Sequence, residues 1–205
     1  MPAFRNKLTS RPFRDVRTAN MHMNETSIKP GYATPMILLH WLTFVLVAIS
    51  YALMELKSFA PRGSDLRLNM AALHYLLGLL VFMLVLARLI LRMTATIPPI
   101  EPAVSAIQAA IAKTMHWFLY AFLIAMPVLG WLALSAKGRP VHLFFFDLPF
   151  PIDTDDALAR QLKQWHEFIA NAGYFAIGLH ATFALFHHYV RRDTTLKRML
   201  PRRWR

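Results

Sequence analysis

Four stretches of this chain are almost free of charge, and they set its predicted architecture. The first, about 35–54, is twenty residues without Asp, Glu, Lys or Arg and carries one imidazole, His40. The second, about 70–91, has His74 near its start and Arg88 near its end, with Arg92 just beyond. The third, about 115–134, contains His116, Pro127 and Gly130, and the fourth, about 166–190, contains His166, His180, His187 and His188. Twenty helical residues rise about 30 Å, the thickness of a bilayer's hydrocarbon core. The pattern predicts an all-α integral membrane protein, a bundle of four transmembrane helices. Pro127 is expected to kink the third.

The connections read differently. Residues 1–34 are polar and basic, with no apolar core of a cleavable signal, and are expected to form a disordered cytoplasmic lead. The stretch TATIPPIEP at 94–102 breaks the chain, after which Val104, Ile107 and Ile111 share a helical face and suggest a short interfacial lead-in to the third span. The aromatic and proline-rich run at 141–156 fits a loop in the membrane interface, and Asp155 or Asp156 is placed to cap the fourth helix. Residues 191–205 form a basic tail. Counted by loop, sixteen Lys and Arg fall on the N-terminal lead, second connection and tail, against seven on the other two connections. The positive-inside rule then puts both termini in the cytoplasm of a bacterial inner membrane.

Composition narrows the chemistry. Hydrophobic residues make up 56% of the 205, and mean hydropathy is +0.36. The net charge of +12 sits beside apolar spans, which favours contact with anionic lipid over nucleic acid. With no cysteine, disulfides, iron–sulfur ligation, thiol catalysis and covalent haem attachment are excluded. No phosphate loop, Ser–His–Asp set or zinc motif is present, and His166-Glu167 lacks the second histidine of a zincin.

The nine histidines carry the remaining information. His166 and His180 are fourteen positions apart, and fourteen steps of 100° fall 40° short of four turns, so both imidazoles face one way, about 21 Å apart along the axis. Gly173 lies midway on that face and His187 continues the row. Given the topology, depth pairs His74 with His166 near the outer face and His40 with His180 nearer the cytoplasm. A lone membrane histidine more often bonds a neighbouring helix; two pairs at matched levels point instead to axial ligation of two stacked, noncovalent haems. Gly78, four residues after His74, and Gly173 are read either as clearance for a flat ring or as close helix packing. His116, His187 and His188 sit near the cytoplasmic surface, facing water, headgroups, haem propionates or a quinone, while His22 and His142 lie outside the spans. Arg88 and Arg92 read first as topology anchors and second as propionate partners.

The stretches LHW at Leu39–Trp41, Asn69–His74, WHEFIANAGYFAIGLH at Trp165–His180, ALFHHY at Ala184–Tyr189 and MLPRR at Met199–Arg203 resemble the bacterial di-haem cytochrome b561 family, and within it the superoxide oxidase type. The resemblance covers about 30–204. It implies a four-helix bundle with two b haems on His40, His74, His166 and His180, exchanging electrons between periplasmic superoxide and membrane ubiquinone. No obligate protein partner is expected. The outer connections carry Lys57, Arg62, Arg67, Lys137, Arg139, Arg160 and Lys163, but six acidic residues share that side, so its expected net charge is small. The alternative is a membrane-anchor cytochrome b subunit that passes electrons from a docked dehydrogenase or hydrogenase to quinone.

Overall fold

The structure, a computed structural model, describes residues 31–143 and 146–204. The first thirty residues of the basic lead, His22 among them, lie outside the described residues. Four long helices account for most of the rest: α1 (Thr34–Lys57), α2 (Asp65–Thr94), α3 (Ala106–Ala136) and α4 (Asp156–Phe186). α4 runs on into a π-helical turn at His187–Arg191, closed by Arg192 in the left-handed region at φ 56°. A small antiparallel hairpin, β1 (Val141–Leu143) with β2 (Phe146–Leu148), occupies the connection between α3 and α4. Each helix is long and apolar enough to cross a membrane.

Local chemistry explains the helix starts. Pro35 falls in the first turn of α1, where a missing N–H costs nothing. Ser64 caps α2 by accepting from the Arg67 amide, and Asp155 caps α4 by accepting from Ala157 and Leu158. Ser105 and Gln108 form a reciprocal capping box on α3. The segment around Ile107, expected as a lead-in to the third span, forms the first turns of α3 behind that box. α2 likewise starts five residues before the apolar stretch does. Hydropathy marks the part of a helix within lipid, whereas caps mark where it ends. Pro127 lies inside α3, which continues through it to Ala136.

Close backbone packing follows chain order, α1 on α2, α2 on α3 and α3 on α4. A small core of Val81, Val85 and Tyr120, backed by Leu46, Val47, Leu123 and Ile124, joins the first three. α4 has no comparable packing against α1 or α2 and meets them through side chains. Tyr51 donates to the Ala170 carbonyl at 2.7 Å, and Tyr174 donates to Glu55 at 2.8 Å. Leu42, Phe44, Phe168 and Phe175 are among many large apolar side chains left exposed, as a lipid solvent requires.

The basic tail is docked. Trp41 Nε1 donates to the Met199 carbonyl at 2.8 Å, Thr194 and Glu101 exchange two hydrogen bonds of 2.9 Å, and the Arg198 guanidinium donates to the Pro98 carbonyl. The tail therefore crosses from α1 to the α2–α3 connection at one end of the bundle. That end is called the tail side below, and the other the hairpin side.

Candidate functional site

α4 brings one histidine to each end of the bundle. α2 and α4 both start on the hairpin side, and His74 and His166 lie nine and ten residues into them, so their rings come level. The ring centroids are 6.1 Å apart. On the tail side His40 is six residues into α1 and His180 six residues before the end of α4, with centroids 6.4 Å apart. Two imidazoles on opposite faces of one metal ion, each bond about 2.0 Å, hold their centroids about 6.3 Å apart. Both pairs have that spacing. Among the described residues no group of three or more His, Asp or Glu side chains is arranged around a bare ion. A pair of ligands suits a metal whose other positions a macrocycle already fills.

His74 has the hydrogen-bonding pattern such a ligand needs. Its Nδ1 lies 3.2 Å from the Ser50 carbonyl and 2.9 Å from the Ser50 hydroxyl. A carbonyl only accepts, so the proton sits on Nδ1 and Nε2 is left bare for a metal. His166 Nδ1 is buried beside Gly130, facing the Met126 carbonyl without a hydrogen bond of full geometry. Both rings line a cavity of about 870 Å³ that also takes in Gly78, Pro127 and Trp131. A Cβ at Gly78 would meet nothing within 4 Å, so that glycine leaves open space for a flat ring.

Of the two readings of Gly173, clearance for a flat ring and close packing, the structure has close packing. A Cβ there would collide with the Phe122 ring and the Tyr51 hydroxyl, which fill the space between the two histidine pairs. The reading of Gly173 as clearance for macrocycles gives way to close approach by aromatic side chains of α1 and α3.

The tail-side pair has more neighbours than expected. His116 is drawn in from the surface, its ring 5.3 Å from that of His180 and its Nδ1 donating to Ala112 at 2.6 Å. That separation would leave about 1.5 Å for each metal bond, too short for an imidazole ligand, so spacing selects His40 over His116 as the partner of His180. Arg88 does not snorkel outward. It turns in and donates from Nη1 to His40 Nδ1 at 2.8 Å. His187 Nδ1 lies 2.5 Å from Asp193 Oδ2. His188 sits in the same π turn with a buried, unpartnered Nδ1, and His142 is on β1 opposite Asp147.

Charge on the hairpin side is distributed unevenly. Lys57, Arg67, Lys137, Arg139, Arg160 and Lys163 line the cavity, whereas among the described residues its acidic lining is Glu55 and Glu167. Asp65, Asp147, Asp153, Asp155 and Asp156 lie off it. The near balance expected from sequence holds for the side as a whole and fails at the cavity, because the acids at the first residues of α2 and α4, on β2 and in the connection do not line it. Ser50, Tyr51, Phe122 and Asp193 had no signal in the sequence; each matters through a contact with a distant helix or turn.

The family described as prokaryotic cytochrome b561 has a sequence model that matches residues 31–202. Cytochrome b561 homolog 1 of Escherichia coli K12 is 39% identical over 84% of this chain and 98% of its own. A Yersinia pestis protein named probable superoxide oxidase CybB is 36% identical over 84% of this chain and 97% of its own. Cytochrome b561 homolog 2 of Escherichia coli K12 is 28% identical over 87% and 95% respectively.

Proposed function

Since the chain belongs to the prokaryotic cytochrome b561 family and is a membrane electron-transfer protein of b-haem type, we propose that it carries electrons from superoxide to ubiquinone across two bis-histidine sites. His74 and His166 hold one haem b near the periplasmic face, and His40 and His180 hold the second nearer the cytoplasm. Bound there, the two groups supply one-electron transfer along the bundle. The observation that carries the reading is the spacing of the two pairs, 6.1 and 6.4 Å, at opposite ends of one helix.

The chain's own residues have distinct parts in this scheme. Ser50 holds the His74 ring in the tautomer that leaves Nε2 bare. The cations around the hairpin-side cavity favour approach of an anion such as superoxide. Two superoxide ions each give up one electron and leave as dioxygen, while one quinone gains two electrons and two protons. His187, seven residues beyond His180 and hydrogen-bonded to Asp193, is the proton-bearing pair suited to a quinone oxygen on the tail side. The name of the Yersinia pestis relative supports the superoxide part, and the basic tail and lead support cytoplasmic termini.

Two measurements test the reading. Haem quantitation with redox difference spectra is expected to give two haems per chain, one lost in His74→Ala or His166→Ala and the other in His40→Ala or His180→Ala. A His180→Ala chain that kept both would overturn the ligand map. Stopped-flow mixing with superoxide and ubiquinone is expected to reduce the haems faster than dismutation removes superoxide. If it does not, and a stoichiometric dehydrogenase copurifies from native membranes, the chain is instead an anchor subunit.

A further inference from the structure

Arg88 and Arg92 lie one helical turn apart on α2, and both guanidiniums sit over the same ring, that of Tyr120, at 5.8 and 5.9 Å from its centroid. Two like charges at this spacing repel one another. Among the described residues neither has a carboxylate within ion-pair distance. Arg88 Nε is buried and has no hydrogen-bond partner, and the same holds for the Tyr120 hydroxyl. Tyr120 itself is only 6% exposed. Unpaired charge and unused donors in a largely apolar bundle are costly unless an acceptor arrives from outside the chain.

The position of the cluster says which acceptor it suits. Arg88 Nη1 is 2.8 Å from His40 Nδ1, so the donors stand beside the tail-side histidine pair. A guanidinium only donates, so this contact leaves the His40 proton on Nε2, the nitrogen an iron would need. His40 can serve as a ligand only when Arg88 has moved to another acceptor. A b-type macrocycle carries two carboxylates on one edge, and guanidinium binds carboxylate in a two-pronged geometry that lysine cannot copy.

We infer that Arg88, Arg92 and Tyr120 form a carboxylate clamp for the propionates of the tail-side haem, with Arg88 released from His40 when that haem binds. The inference rests on the two-haem reading above. The clamp acts on position and charge, as a set of binding and positioning residues that takes no part in electron transfer itself. It also gives α2, which supplies no ligand at this level, a hold on the tail-side group.

The test separates the carboxylates from the rest of the macrocycle. A full-length His166→Ala chain, which keeps only the tail-side site, is freed of haem in detergent and titrated with haem b and with its dimethyl ester. Binding of haem b is expected to be stronger than that of the ester by about tenfold or more, the worth of a charge-assisted hydrogen bond. Adding Arg88→Gln and Arg92→Gln is expected to abolish the preference. Equal binding of acid and ester, or a preference that survives both substitutions, would overturn the clamp. A His166→Ala chain that takes up no haem while the unaltered chain binds two would overturn the ligand pairing and the clamp with it. The unaltered two-haem protein provides a second readout. Arg88→Gln is expected to shift one of its two midpoint potentials negative and leave the other in place, with Arg88→Lys recovering part of the shift. Two unmoved potentials would count against the clamp.

Discussion

At Gly173 the backbone of α4 comes so near the Phe122 ring and the Tyr51 hydroxyl that a methyl group has no room. Neither neighbour is the free end of a flexible chain, since Tyr51 is held by the Ala170 carbonyl and a phenyl ring moves only as a plate. Gly173→Ala is therefore expected to destabilise the detergent-solubilised protein by about 1–3 kcal/mol, the usual range for overpacking. Gly178, five residues on in the same helix, meets nothing within 4 Å, and Gly178→Ala is expected to stabilise by about 0.5–1 kcal/mol through the backbone term alone. Thermal melts of the two variants decide the matter: equal shifts would remove the argument from contact. The contrast also marks what sequence can carry at this scale. The row from His166 to His180 was legible because fourteen residues nearly close four turns, a property of one helix. The inward turn of Arg88 and the filling of Gly173 by Tyr51 were not, because they depend on how neighbouring helices are rotated. Helices that are apolar all round give little pattern from which to read that rotation.

The elements that gather at the tail side depend on one short turn. Asp193 is 2% exposed, accepts from the Thr195 amide at 2.8 Å and contacts His187 at 2.5 Å, so it joins the end of α4 to the docked tail. Burial alone would raise the pKa of Asp193, but hydrogen bonds from His187 and Thr195 outweigh it and hold the carboxyl below its ordinary value. A depressed acid stabilises the folded form above its unfolded pKa, and that contribution fades as pH falls through the folded value, beneath the ordinary carboxylate range. Docking of the tail is thus expected to be constant near neutrality and to weaken in acid, seen as lower protection of the Thr194 and Thr195 amides relative to their intrinsic exchange rate at each pH. At neutral pH, Asp193→Asn is expected to speed tryptic cleavage after Lys197 or Arg198 by several-fold, because the locally opened state becomes more populated. An unchanged rate would mean that the Trp41 and Glu101 contacts hold the tail without it. At this scale the four helices and their order were legible from hydropathy. Their ends were not, since the capping box at Ser105 and the docking of the tail are set by individual polar contacts that leave no trace in an apolar average.

For the molecule as a whole, charge and topology make one case. Lys57, Arg67, Lys137, Arg139, Arg160 and Lys163 line the hairpin-side cavity, yet Lys137 is neutralised by Asp156 and Lys163 by Glu167, each at 2.6 Å. Arg67 is fixed by the Lys57 and Ala60 carbonyls, at 2.8 and 3.1 Å, which orient it without cancelling its charge. The unneutralised cations nearest the His74 and His166 rings are therefore expected to dominate the field that an arriving anion meets. Such steering acts over roughly a Debye length, about 30 Å at 0.01 M salt and 8 Å at 0.15 M. If superoxide is the donor and enters here, the second-order rate of haem reduction is expected to fall several-fold between those salt concentrations. Arg139→Gln is expected to lower the rate at low salt and flatten its salt dependence, while the haem spectrum and haem content stay unchanged, since Arg139 is remote in role from the ligands. A neutral one-electron donor of similar size provides the control, because its rate has no charge through which salt can act. A rate with superoxide that ignores both salt and Arg139 would remove the cavity as its entrance, leaving the histidine pairs as they are and moving the search for the donor to another face.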